Sequence, residues 1–165
     1  MKQQWEKLIA VLDEMLALYR AILSLSQEKR SILVAADGQK LEQITKQEEL
    51  LILQAGKLEK RREKVISEIG ASQGFGPSET NISKLKELTD DTTAKRLDEI
   101  SEQLTKVFAE LGTVNEVNTK LIKQALVFVN YNINILAQST TSPTYAPEGK
   151  SGQTGNSRNW VDRKV

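Results

Sequence analysis

Apolar side chains recur at three- and four-residue steps along most of this chain, and the longest such run lies within 97–136. Leu97, Leu104, Leu111 and Val114 open a ladder that continues through Asn118, Leu121, Ala125, Phe128, Asn132 and Ile135. Residues three and four apart share one face of a helix, so this spacing predicts a long amphipathic helix over about 93–137 with Asn set into its apolar seam.

A second seam begins at the N-terminus. Trp5, Leu12, Tyr19 and Leu33 hold one heptad position and Leu8, Met15 and Ile22 its partner. Ile9, Leu16 and Leu23 flank one side, and Val11, Leu18, Leu25 and Ile32 the other. An arc this wide predicts a helix over 2–34 that touches two neighbours, with Ser26 and Lys29 weakening its far end. Ala35-Ala36-Asp37-Gly38 breaks it: Asp37 is a cap for a second helix and Gly38 a residue that accepts turn geometry. So short a connection sets the second helix antiparallel to the first. That helix, over 38–69, presents Leu41, Ile44, Leu51, Leu58, Val65 and Ile69. Glu48 and Arg62 interrupt its seam, and Leu50, Ile52 and Leu53 broaden its face.

Gly70, Gly74, Gly76 and Pro77 then end the helix in a loop. Phe75 is expected to plug back onto the bundle. Ile82, Leu85 and Leu88 predict a short helix started by Ser78 or Thr80, and Thr89-Asp90-Asp91-Thr92 divides it from the long one, with Asp91 or Thr92 as cap. After Ala137 the chain turns to Ser, Thr, Gly and Pro. The expected organisation is all-α: an elongated antiparallel helical bundle over 1–137, built of two long helices, a short one and a longer last one, followed by a flexible tail over 138–165. At about 1.5 Å per residue the last helix is roughly 65 Å long and the first two roughly 50 Å each, so part of its seam lacks an internal partner.

Charge and composition narrow the chemistry. The 165 residues hold 23 basic and 22 acidic side chains, a net charge of +1. That balance gives no broad attraction to nucleic acid or anionic lipid. Lys57, Lys60, Arg61 and Lys64 cluster on the second helix, with Glu59, Glu63 and Glu68 beside them. The chain has neither His nor Cys, so the common neutral-pH bases, zinc ligands and thiol nucleophiles are missing. The glycine loop lacks the Lys-Ser/Thr ending of a P-loop. No stretch is apolar for long enough to span a bilayer, and the N-terminus has no signal-type run. The expectation is a soluble, cytoplasmic, non-enzymatic protein without cofactor or metal, whose long seam binds helices.

Asn115-Glu116-Val117-Asn118 leads into Leu121-Ile122, Ala125-Leu126 and Val129-Asn130, and the tail carries Tyr145-Ala146-Pro147-Glu148-Gly149 and closes on Val161-Asp162-Arg163-Lys164-Val165. Together with the helix order, this resembles the FlgN-like flagellar export chaperones over essentially the whole chain. The resemblance implies a chaperone of flagellar type III export that holds the hook–filament junction (hook-associated) proteins FlgK and FlgL before secretion. It implies a client-binding surface over Leu104, Val107, Leu111, Val114, Asn115, Asn118, Leu121, Ala125 and Phe128. It also implies docking of Tyr145 on the export gate protein FlhA. Physically, an apolar helix face can accept an amphipathic client segment as one more bundle helix, with Asn setting the register. The other reading of the same seam is a self-associating coiled coil or adaptor, a homo-oligomer with no client, for which Tyr145 and Trp160 have no use.

Overall fold

In a computed structural model of the protein, residues 2–76 and 82–139 are described. They form four helices: α1 Lys2–Ala35, α2 Gly38–Ser72, α3 Ile82–Glu87 and α4 Asp91–Ser139. The all-α expectation holds, as does the order of two long helices, a short one and a longer last one. Tyr145, Trp160 and the rest of the tail after Ser139, with the roles expected of them, fall outside the described residues. Residues up to Phe128 belong to one compact unit. The second begins at Val129, and its described part is the last turns of α4.

The turn after α1 is tighter than its glycine suggests. Ala36, not Gly38, takes the left-handed conformation, with φ 54°. The Asp37 amide donates to the Ile32 carbonyl at 3.2 Å and the Ala36 amide to Leu33 at 3.3 Å. This paired arrangement satisfies the last carbonyls of a helix and usually employs Gly at the left-handed position. Asp37 then caps α2, its side chain accepting from the Lys40 amide at 3.0 Å. That bond holds the Asp37 carboxyl below its usual pKa. Gly38 is simply the first residue of α2.

The far end of α2 repeats the device. Gly74 is left-handed at φ 78°, the Phe75 amide bonds Gly70 at 2.9 Å, and the Gly74 amide bonds Ala71 at 3.2 Å. The helix therefore runs to Ser72, past the expected stop at Ile69. Phe75 is half-buried, with the Lys84 ammonium 5.1 Å from its ring centre. At the start of α4 the cap is Asp90 rather than Asp91 or Thr92. Its carboxylate accepts from the amides of Thr92 and Thr93, both at 3.0 Å, and the Thr93 amide is the main reason its pKa lies below normal. With Asp90 as the cap, the helix starts at 91, two residues before the expected 93.

α1 is the hub. It contributes buried side chains to all three apolar clusters. Leu8 and Met15 meet Ile69 of α2, Leu85 of α3, and Leu97 and Ile100 of α4. Leu16 and Leu23 meet Val107, while Leu18 and Ile22 meet Ala55. The two flanks read from its wide apolar arc are thus both used, one on α2 and one on α4. Three ion pairs and a hydrogen bond fix direction. Glu14 with Arg61 and Lys29 with Glu48 make α1 and α2 antiparallel. Asp13 with Arg96, and Ser26 with Asn118, make α4 parallel to α1 and antiparallel to α2. Pairs as exposed as Glu14–Arg61 and Asp13–Arg96 are screened by water and contribute little; apolar burial does most of the holding.

Candidate functional site

The α4 seam divides into two halves with opposite surroundings. Its first half is inside. Leu97 and Ile100 are fully buried and Val107 is buried. Leu104, Leu111 and Val114 are half-buried against Leu16, Leu23 and Val107. Phe108 leans out and meets Tyr19 edge-on, with ring centres 4.6 Å apart. Beside them Arg62 of α2 pairs with Glu59. That bond is the main reason the Glu59 carboxyl sits below its usual pKa and the Arg62 guanidinium above.

A polar layer closes this half. Asn118 is buried and donates to the Ser26 carbonyl oxygen at 2.8 Å. Ser26, also buried, donates through its hydroxyl to Glu48 at 3.3 Å, and Glu48 takes the Lys29 ammonium at 2.7 Å. Four seam interruptions from three helices therefore lie in one stratum. The Asn118 carbonyl oxygen is buried without a protein partner, so part of the amide's desolvation is uncompensated. We expect Asn118→Leu to raise stability by about 1 kcal/mol, or roughly 2–4 °C in melting temperature. A thermal melt followed by circular dichroism reads this, and a lower melting temperature would mean that the amide contributes more than it costs.

Beyond the layer the seam opens. Leu121 and Ile122 are half-buried, and Ala125 is exposed. Leu126 is 56% exposed, Val127 70% and Phe128 66%. Val129, Tyr131, Ile133, Ile135 and Leu136 are exposed as well. These side chains lie on every side of the helix, not along one stripe. Lys123 is the last charged residue of α4, and 124–139 hold none. Asn130, Asn132 and Asn134 are interleaved with the apolar side chains, but large apolar side chains exposed this densely are the usual mark of an interaction surface.

Of the nine residues expected to contact a client, Leu104, Val107, Leu111, Val114 and Asn118 thus lie within the bundle. Asn115 is exposed beside the polar layer, and Leu121, Ala125 and Phe128 lie at or beyond its opening. Leu126, Val127, Val129, Tyr131, Ile133 and Ile135 are additions. Ile135 stands in the three-and-four ladder, which passes over the other five; the absence of charge after Lys123 would have disclosed them.

Among the described residues no helix is long and apolar enough to cross a membrane, and no group of three or more His, Cys, Asp or Glu is placed to hold a metal ion. The chain is 28% identical over 144 residues to an uncharacterized protein, YvyG, of Bacillus subtilis (strain 168), covering 87% of this chain and 88% of that one. No solved structure matches it. The FlgN protein family matches over residues 1–153, so that all four helices, the polar layer and the uncharged end of α4 fall within the match. This chain belongs to the FlgN family, a family of flagellar export chaperones.

Proposed function

We propose that the protein binds hook-associated proteins of the FlgK and FlgL type before their export, prevents their premature assembly, and delivers them to an export gate protein of the FlhA type. The observation that carries the client half is the uncharged, outward-facing apolar end of α4. Junction proteins must travel unassembled, and their terminal segments form amphipathic helices once assembled. Such a segment laid against residues 121–136 buries apolar surface on both partners, at about 25 cal/mol per Å² removed from water.

Direct contact falls to Leu121, Ala125 and Phe128 together with Leu126, Val129 and Ile133. Ala125, being small, lets a second helix backbone approach closely. Leu104, Val107, Leu111, Val114 and Asn118 serve by holding α4 on α1. Tyr145 is the residue for the gate.

The test mixes the full chain with the C-terminal segment of a hook-associated protein and measures mass by light scattering. A complex of fixed stoichiometry is expected. A chain that ignores the segment and associates only with itself would overturn the proposal in favour of a self-associating coiled coil.

A further inference from the structure

α2 carries a second stripe that faces away from the bundle. Its core positions are Ile44, Leu51, Ala55 and Leu58. On the opposite side Leu50, Leu53, Lys57, Lys60 and Lys64 succeed one another in steps of three and four, so they line one face over roughly 20 Å. Leu50 is 61% exposed and Leu53 65%. The three lysines are exposed, and none has an ion-pair partner among the described residues. The other two cations of the cluster are committed elsewhere, Arg61 to Glu14 and Arg62 to Glu59. The stripe is therefore apolar at one end and carries three lysines without ion-pair partners over its last two turns, with Glu63 and Glu68 close by.

We infer that this face docks an acidic amphipathic helix of another protein. The partner's seam would set large aliphatic residues against Leu50 and Leu53, and Glu or Asp at three- and four-residue spacing against Lys57, Lys60 and Lys64. The spacing is that of two helices packed side by side, and the charge pattern fixes their alignment.

An anionic membrane fits less well. Glu49 and Glu63 border the stripe, and α2 as a whole carries seven basic and six acidic side chains, so a broad negative surface meets no net attraction. A second copy of the chain fits less well too. Among the described residues no exposed face sets two large aliphatic side chains in line with three unpaired acids. The stripe shares no residue with the surface proposed for the client.

Two designed helical peptides test the inference against the full-length chain, using fluorescence anisotropy. One carries Leu at two seam positions and Glu at the next three; the other carries Lys in place of Glu. The acidic peptide is expected to bind, to weaken about tenfold between 50 and 300 mM salt, and to weaken at least tenfold with Leu53→Glu. The triple variant Lys57→Glu, Lys60→Glu, Lys64→Glu should reverse the preference and take the Lys peptide. Charge replacements at Val129 and Ile133 should leave both results unchanged, which separates this face from the client surface. The inference is overturned if the two peptides bind alike, if neither binds, or if the chain sediments with phosphatidylglycerol vesicles and ignores the peptides. It is also overturned if the chain self-associates through this face, read as a mass that falls to the monomer with Leu53→Glu. Unfolding by Leu53→Glu, seen by circular dichroism, would likewise overturn it, because a solvent-facing residue tolerates that change.

Discussion

Replacing Val129 and Ile133 together by Asp is expected to weaken binding of a hook-associated C-terminal segment by about 100-fold or more and to leave the melting temperature of the free protein nearly unchanged. Val129 is 49% exposed and Ile133 52%. Roughly half of each side chain therefore remains to be covered by a partner, about 1 kcal/mol apiece by area. Asp adds to this, since a carboxylate pressed into an apolar contact must be desolvated without compensation. Together these reach about 3 kcal/mol, a factor near 100 in affinity. Leu126 lies on the same face, seven residues before Ile133, and should behave alike. Titration calorimetry gives the affinity and a thermal melt gives the stability. Loss of binding with the fold intact is the expected pair of results. Unchanged binding would place the client surface elsewhere, and a collapsed melt would mean that these residues are held by the protein itself.

Leu97→Ala should do the reverse. Leu97 is fully buried among Trp5, Leu8, Leu85 and Ile100, where α1, α3 and α4 meet. Removing its branched end leaves a cavity that rigid neighbours cannot fill, at a cost of roughly 2–5 kcal/mol. A domain of this kind has only about 5–15 kcal/mol in total. The melting temperature should fall by roughly 5–20 °C. Client affinity measured well below the melt should change little, because Val129 and Ile133 lie many turns further along α4. Thermal denaturation in parallel with titration at low temperature separates the two effects. A neutral Leu97→Ala would mean that the first turns of α4 are not docked as described.

Much of the bundle was legible in the sequence because helical periodicity reports it directly. The wide arc of α1 announced two neighbours, and it has them in α2 and α4. Helix ends were less legible. A left-handed position normally calls for Gly, and Ala36 occupies it although Gly38 stands two residues away. With Asp90 and Asp91 adjacent, nothing local says which of them caps. The seam interruptions Ser26, Lys29, Glu48 and Asn118 were each visible, but their meeting in one stratum depends on how far each helix is shifted along the others, which no single periodicity encodes. The site was half legible. The three-and-four ladder runs unbroken from Leu97 to Ile135, so spacing alone does not mark where the bundle stops covering it. Helix length raised the question, and the charge distribution answers it: Lys106, Glu110, Glu116, Lys120 and Lys123 punctuate α4, and then charge ends.

The polar layer has a consequence for where the adhesive surface stays. Move α4 by two turns, about 10 Å, toward its own N-terminus, and Ala125 comes to the place of Asn118 and Phe128 to that of Leu121. Apart from the places of Leu111 and Ala125, which would receive Asn118 and Asn132, the seam positions would still receive small or apolar side chains, so greasy contact alone does little to oppose the slide. What opposes it is Asn118, which the slide would carry to the level of Leu111, among Leu16, Leu23 and Val107 and away from the Ser26 carbonyl that accepts from its amide. The amide thus acts as a detent. It holds the helix at one level along the bundle, and the protein accepts a slightly less stable core to keep that register.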